Sequence, residues 1–236
     1  MPVARRGPTR PSASRRTGEP RKPVIPGSLL VAEQELEPEA AFRAVEFSGS
    51  GPSGSYGLSG RDAEAVEFAQ CRFRGADLSG SVLAQLTLTD CQVQTSNWAN
   101  VRADGGALHR VIFDESRMTG FTVTDGKLGD VRFDQCRLDL SGWRFSAFDS
   151  VRFTGCNLTG ADFTNADLRG ARFTGCDLTG AQFHHATMDG ARFRRCELEG
   201  IAGITSWRGA VVHPDDLLAL SYTLAGGLGI KVDPAE

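Results

Sequence analysis

The chain has 236 residues, of which 40% are hydrophobic and 23% charged, and its formal net charge is −3. This size and balance fit a domain with a hydrophobic core together with terminal segments. No run approaches the roughly 20 apolar residues of a membrane helix, and the N-terminus lacks the apolar stretch of a secretory signal, so no membrane association is predicted. The six cysteines form no CxxC pair, which favours free thiols in a cytoplasmic protein.

The first 28 residues are basic and rich in proline, with Glu19 as their one acidic residue. Their cations are Arg5, Arg6, Arg10, Arg15, Arg16, Arg21 and Lys22. Such a segment cannot bury enough surface to fold alone, so residues 1–28 are predicted to be a disordered, solvated tail. The functional alternative is electrostatic attachment to nucleic acid or to an acidic surface.

Residues 29–65 are predicted to be an N-terminal lead-in and an irregular first coil. The segment "VEFSG" at 45–49 looks like one repeat of the pattern that follows, but it is one residue out of register. An irregular connection rich in Gly and Ser is therefore expected after it.

Residues 66–200 repeat an apolar pattern every five residues. The repeat centres run from Phe68 to Leu198 without an insertion, 27 positions in all, and only Ala103 among them is small. Two residues before each centre stands a second small or apolar residue. A helix needs a spacing near 3.6 and a flat strand one of about 2, so neither explains this period. The pattern predicts short extended segments joined by turns, each burying two side chains, in a solenoid whose units stack on one another.

A second period of twenty residues lies over the first. Every fourth centre gives a column that is mostly phenylalanine: Phe73, Val93, Phe113, Phe133, Phe153, Phe173 and Phe193. Four cysteines are also spaced by twenty: Cys136, Cys156, Cys176 and Cys196. Four sides of five residues then close one coil, so residues 66–200 make about 6.75 coils. At about 4.8 Å per coil the rod is about 32 Å long.

The repeat unit has a recognisable motif, Ala-(Asp/Asn)-(Leu/Phe)-X-X. It occurs in "ADFTN", "ADLRG" and "CDLTG", all within residues 161–180. On these residues the chain resembles the pentapeptide-repeat family, strongly over 66–200 and weakly over 56–65. The resemblance implies an all-β fold, a right-handed quadrilateral parallel β-helix in which the centre and the residue two before it point inward.

Residues 201–236 are predicted to form a C-terminal cap with a helix at about 214–226. Pro214 can open the helix, Asp215 and Asp216 suit its positive end, and the pair Gly226-Gly227 can end it. Residues 229–232 could add a last extended piece. The predicted cap and dimer contacts are Leu217, Leu218, Leu220, Tyr222, Leu224 and Leu228. Pentapeptide-repeat proteins of the quinolone-resistance type dimerise through this end, so the resemblance implies a homodimer.

The sequence contains no set of candidate catalytic residues that would converge on one pocket. A filled four-sided rod has no pocket, so neither an enzyme, nor a cofactor, nor a small-molecule substrate is predicted. The adjacent His184 and His185 make a poor metal site because they point in different directions. The cysteines occupy an inward column and are expected to behave as small hydrophobic residues.

A basic stripe precedes the phenylalanine column and is the candidate docking surface. It consists of Arg132, Arg152, Arg172 and Arg192, extended by Arg194 and Arg195. Stacked like charges repel unless something neutralises them. Either Asp134, Asp177 and Glu197 form salt bridges with this stripe, or the stripe binds an acidic partner.

Three functions stay open at this point. The chain is a non-catalytic rod that binds an unassigned protein partner, or a DNA gyrase-interacting protein that confers or modulates fluoroquinolone resistance, or a nucleic-acid-associated protein held by its basic tail. The second is what the resemblance implies, since quinolone-resistance members bind type II topoisomerases and are thought to imitate DNA. Residues 66–200 carry 17 acidic and 15 basic residues, a charge far below that of a duplex of the same length.

Overall fold

The computed structural model describes residues 18–31, 36–49 and 58–231. These residues form a four-sided parallel β-solenoid followed by a short helix. The elements in chain order are β1 (Leu30–Val31), β2 (Ala41–Arg43), β3 (Val45–Ser48), β4 (Glu67–Ala69), β5 (Arg72–Arg74), β6 (Thr87–Gln94), β7 (Ala107–Asp114), β8 (Lys127–Asp134), β9 (Ala147–Thr154), β10 (Ala171–Thr174), β11 (Arg192–Arg194), a 3-10 helix (Ile204–Ser206), β12 (Val211–Val212) and α1 (Pro214–Gly227).

Strand pairing confirms the coil of twenty residues. Leu88 of β6 pairs with Leu108 of β7, and the paired strands are parallel. Phe133 of β8 pairs in the same way with Phe153 of β9. Isolated bridges elsewhere on the coils, such as that between Asn97 and Arg117, keep the same spacing. The predicted fold class, a parallel β-helix with a C-terminal helix, is therefore confirmed.

The chain turns a corner at every fifth residue. From Gly60 to Gly200, each residue whose number is a multiple of five has a left-handed backbone, except Gly170. Asp90, with φ of 55°, shows that this conformation is not confined to glycine, and Asp and Asn tolerate it better than most residues. Gly170 is needed for a different reason, because a Cβ atom there would lie 2.7 Å from the backbone nitrogen of Ser150.

Both predicted inward columns are buried. The 27 repeat centres from Phe68 to Leu198 are buried, and so is the residue two before each of them. Phenylalanine rings of successive coils stack face to face. The ring centroids of Phe133 and Phe153 are 4.8 Å apart, and those of Phe153 and Phe173 are 4.9 Å apart. The core is thus a ladder of stacked side chains that runs along the axis of the rod.

All six cysteines are buried free thiols. The contact with Cys136, together with burial, raises the pKa of the Cys156 thiol to about 12. The contact with Cys156, together with burial, raises the pKa of Cys176 to about 12 in the same way. Thiols with such pKa values are protonated at neutral pH, so the column acts as a row of small hydrophobic side chains.

The first coil contains the predicted irregularity. Phe42 pairs with Phe68, and Phe47 pairs with Phe73. Each pair is separated by 26 residues instead of twenty. The stretch rich in Gly and Ser at 50–57, where the irregular connection is predicted, lies outside the described residues.

The predicted disorder of residues 1–28 does not hold for residues 18–26, which we call the arm. The arm lies extended along one corner of the solenoid, from the coil of Ser150 to the coil of Gln70. Ser150 Oγ donates to the carbonyl of Gly18 at 3.2 Å, and the backbone NH of Val24 donates to Asp90 Oδ1 at 3.0 Å. Residues 1–17, the rest of the predicted tail, lie outside the described residues.

An ion pair fixes the middle of the arm. The backbone nitrogen and Nε of Arg21 donate to the two carboxylate oxygens of Asp130 at 3.0 and 2.7 Å. Asp130 is 4% exposed and Asp90 7%. The polar partners of the arm at this corner are therefore Gln70, Asp90, Asp130 and Ser150, which belong to one column.

Helix α1 spans Pro214–Gly227, which confirms the predicted helix at about 214–226. Proline stands in its first turn together with Asp215 and Asp216, as predicted. Asp216 is buried, and its Oδ1 accepts a hydrogen bond from the backbone nitrogen of Cys196 at 3.2 Å. This bond joins the start of the helix to the last coil.

The end of the rod is covered differently from the prediction. Among the six side chains predicted as cap and dimer contacts, Leu220 alone is buried, at 2% exposure, while Leu217, Leu218, Tyr222, Leu224 and Leu228 are exposed. The ring of Trp207 instead stacks on Phe193 with centroids 4.5 Å apart. Strand β12 precedes α1, whereas residues 229–231 are not in a strand and residue 232 lies outside the described residues. Only one narrow side of α1 faces the coils, so its remaining leucines do not cover the rod.

Candidate docking groove

The predicted arginine stripe follows one side of the solenoid. Arg172 pairs in register with Arg152 on one strand and with Arg192 on the other. Their Cα atoms are therefore one strand spacing apart, about 4.8 Å. Two unit charges at such a distance repel by about 1 kcal/mol in bulk water and by more where solvent is excluded. Such a stack is unfavourable unless anionic neighbours neutralise it.

The first two arginines of the stripe have such neighbours. Arg132 Nη2 donates to Asp134 Oδ2 at 2.8 Å. Arg152 Nη2 donates to the Glu19 carboxylate, which belongs to the arm. The pair with Asp134 follows the predicted salt-bridge interpretation, whereas Glu19 was assigned to a disordered tail and was not considered as a partner.

The other predicted acidic partners do not neutralise the stripe. Asp177 accepts hydrogen bonds from Thr179 N at 2.9 Å and from Thr159 Oγ1 at 3.1 Å. Hydrogen bonds of this kind help to lower the pKa of Asp177 against the opposing effect of its burial. Within the described part of the chain, Glu197 forms no ion pair with an arginine of the stripe. The salt-bridge interpretation therefore fails for the C-terminal half of the stripe.

Arg172, Arg192 and Arg194 line a groove of about 490 Å³ together with Arg152. We call this the arginine groove. Arg172 is half-buried, while Arg192 and Arg194 are exposed. Among the residues that the structure describes, no acidic side chain lies within ion-pair distance of these three arginines. Arg195 is exposed at a corner, with φ of 54°, and does not line the groove.

The cap supplies the end wall of the arginine groove, because β12 pairs with β11 as the next rung on the same side of the rod. This wall consists of Val211 and Val212 of β12, followed by His213 and Pro214 at the start of α1. Val211 is 44% exposed. This wall was not predicted from the sequence. Two successive β-branched residues, Val211 and Val212, are nevertheless a signal for an extended segment.

No metal centre is formed by the described residues, since no three His, Cys, Asp or Glu side chains converge. Both His184 and His185 are exposed. Among the described residues, no helix is long and apolar enough to cross a membrane.

A sequence model of the family described as "pentapeptide repeat region" matches residues 127–202. This segment lies within the coils whose period, inward columns and corners are given above. Residues 127–202 thus match the pentapeptide repeat. No curated protein matches the chain.

The solved structures that resemble this chain include several pentapeptide-repeat proteins, all at low identity and with TM-scores below 0.5. HetL from the cyanobacterium Nostoc, which is involved in heterocyst differentiation regulation, is 15% identical with a TM-score of 0.45, over 73% of this chain and 85% of HetL. QnrB1, a plasmid-mediated fluoroquinolone resistance protein, is 18% identical with a TM-score of 0.35, over 88% of this chain and all of that chain (100%). A pentapeptide-repeat protein of the Arabidopsis thaliana thylakoid lumen is 19% identical with a TM-score of 0.17, over 73% of this chain and 82% of that chain. At these identities the likeness concerns the fold and leaves function to the residues of this chain.

Proposed function

We propose that the protein is a non-catalytic rod that binds a protein partner through an acidic segment seated in the arginine groove. The observation that carries this proposal is that Arg172, Arg192 and Arg194 share one groove without an acidic neighbour among the described residues. An extended segment with several carboxylates could pair with them one after another along the rod. Arginine suits this role because its planar guanidinium group donates two parallel hydrogen bonds to a carboxylate.

The surroundings of the groove favour an acidic protein segment over a nucleic acid. The end wall of the groove includes Val211, which is 44% exposed and which a peptide can cover with its own apolar side chains. The coils at 66–200 have 17 acidic and 15 basic residues, so the net charge of the rod is negative outside this groove. A long polyphosphate would be repelled by most of that surface.

We expect an oligoglutamate peptide to bind the full-length protein at low ionic strength. The double substitution Arg172→Ala/Arg192→Ala should weaken binding about tenfold or more, because a hydrogen bond to a charged group contributes about 1.5–3 kcal/mol. Fluorescence anisotropy of the labelled peptide measures both affinities.

A matched control separates the groove from general charge. Arg117 and Arg137 are exposed and in register on another side of the rod, so Arg117→Ala/Arg137→Ala removes the same charge elsewhere. Equal losses in the two double variants would contradict docking in the groove. Tighter binding of a single-stranded oligonucleotide than of oligoglutamate would favour the nucleic-acid alternative instead.

We also propose that α1 joins two copies of the rod. Leu218, Tyr222 and Leu228 are 80%, 72% and 77% exposed, and they lie within three turns of one another. Neighbouring exposed apolar side chains of this kind commonly mark a contact surface. A second copy of the same helix would cover them through a self-complementary interface.

The gyrase-interacting alternative rests on the resemblance of the repeats to quinolone-resistance proteins. DNA duplex carries about one negative charge per 1.7 Å, or about 19 over a rod of about 32 Å. The small net charge of the coils therefore does not support imitation of DNA. If the partner is an acidic protein other than gyrase, this protein should not change DNA supercoiling by gyrase. The assay is run with and without a fluoroquinolone.

The compartment that we propose is the cytoplasm. Six buried free thiols suit a reducing environment.

A further inference from the structure

The arm is attached to the rod by contacts that can be released. It is held by the bonds of Arg21 to Asp130 and of Val24 to Asp90, and most of its residues stay exposed, with Pro20 as the buried one. Asp130 and Asp90 are nearly buried, but Arg21 is 51% exposed and Glu19 67%, so the arm's side of these contacts stays open to water. The arm stays in place because it belongs to the same chain, which keeps its effective concentration high.

One residue of the arm pairs with an arginine that lines the arginine groove. The Glu19 carboxylate pairs with Arg152, which lines the groove beside Arg172. Glu19 remains 67% exposed while Arg152 is 23% exposed, so the pair lies at the mouth of the groove. The arm thus places a carboxylate on the first arginine of a row whose next members have no acidic neighbour among the described residues.

We propose that the arm is an intramolecular competitor of the acidic partner, with Glu19 in the position of the partner's first carboxylate. The inference rests on the proposed docking function and adds its regulation. A partner with several carboxylates forms ion pairs with Arg172, Arg192 and Arg194 in addition to Arg152. The additional binding free energy lets it displace Glu19. A partner with a single carboxylate can replace only one ion pair, so its binding free energy is too small to displace Glu19. The groove therefore selects acidic runs over isolated acidic residues.

Two substitutions in the arm test this competition in the full-length chain. Glu19→Gln removes the competing carboxylate, and Arg21→Ala removes the anchor on Asp130 that keeps Glu19 in place. We expect both variants to bind oligoglutamate about two- to fivefold more tightly than the unmodified protein, as an exposed ion pair of up to about 1 kcal/mol allows.

The two substitutions change the net charge in opposite directions, which makes the test specific. If only general charge mattered, Glu19→Gln would strengthen binding of an acidic peptide and Arg21→Ala would weaken it. Matched controls are Glu115→Gln, at an exposed corner, and Lys22→Ala, at the exposed neighbour of Arg21. Neither control should strengthen binding, and opposite effects of Glu19→Gln and Arg21→Ala would overturn the competition.

Hydrogen exchange gives an independent readout. Saturating oligoglutamate should accelerate exchange of the amide protons of Arg21 and Val24, which donate to Asp130 and Asp90. Unchanged exchange in the bound protein would contradict displacement of the arm. Binding that depends on Arg172 and Arg192 but not on the arm variants overturns only the competition. Absence of binding in every variant overturns the docking function together with it.

Discussion

Replacing Phe153 with alanine is expected to lower the free energy of unfolding by about 3–5 kcal/mol, the usual range for a buried phenylalanine. Phe153 is fully buried, and its ring is stacked between those of Phe133 and Phe173 at 4.8 and 4.9 Å. Its removal opens a cavity in the middle of the ladder, where the coils above and below cannot move inward without breaking their strand pairing. Denaturant unfolding followed by circular dichroism measures the loss.

An outward residue on the next coil provides the control for this prediction. Arg172 lies next to Phe173 on β10 and forms no ion pair with another described residue. Arg172→Ala should therefore change the free energy of unfolding by less than about 0.5 kcal/mol, as expected for a surface substitution. Comparable losses in the two variants would mean that the assignment of inward and outward positions is wrong.

The double substitution Leu218→Glu/Tyr222→Glu is expected to convert a dimer into monomers. Both side chains are largely exposed on α1, so introducing charge there should not disturb the packing within one rod. Four glutamates facing one another across a two-fold interface would instead repel and would leave buried charges unpaired. Light scattering of the intact protein and of the variant measures the change in mass.

A second pair of exposed apolar residues gives a matched control. Leu140 and Phe145 are 67% and 53% exposed at corners of the coils, away from α1. Leu140→Glu/Phe145→Glu should leave the dimer intact. A monomeric mass for the unmodified protein, or an unchanged dimer in Leu218→Glu/Tyr222→Glu, would contradict association through α1.

The coils could be predicted because their information is local and repeated. The apolar positions of each five-residue unit predict which two side chains face inward. A column such as that of Phe133, Phe153 and Phe173 then predicts a coil of twenty residues. Helix α1 was predictable from Pro214 and the two aspartates after it. Its orientation was not, because the spacing of leucines shows which side is apolar but not whether the rod or another molecule covers it.

The arm was not predictable from its own composition. Arg21 and Asp130 are 109 residues apart in sequence, and their contact depends on which corner the arm follows. A segment rich in proline and arginine is predicted to be disordered when its composition is considered alone. The signal that could have revealed it lies in the coils, where Asp90 and Asp130 occupy one corner column and are nearly buried. Acidic side chains in such places need donors, and the arm supplies two backbone NH groups and one guanidinium group.

Chemical labelling of arginines, read out by mass spectrometry, tests the docking of acidic segments in the arginine groove most directly. Phenylglyoxal should modify Arg172, Arg192 and Arg194 in the free protein, and saturating oligoglutamate should reduce their labelling several-fold. Arg117 and Arg137 should be labelled equally with and without the peptide. Uniform protection of all arginines, or protection confined to residues outside the groove, would contradict this account.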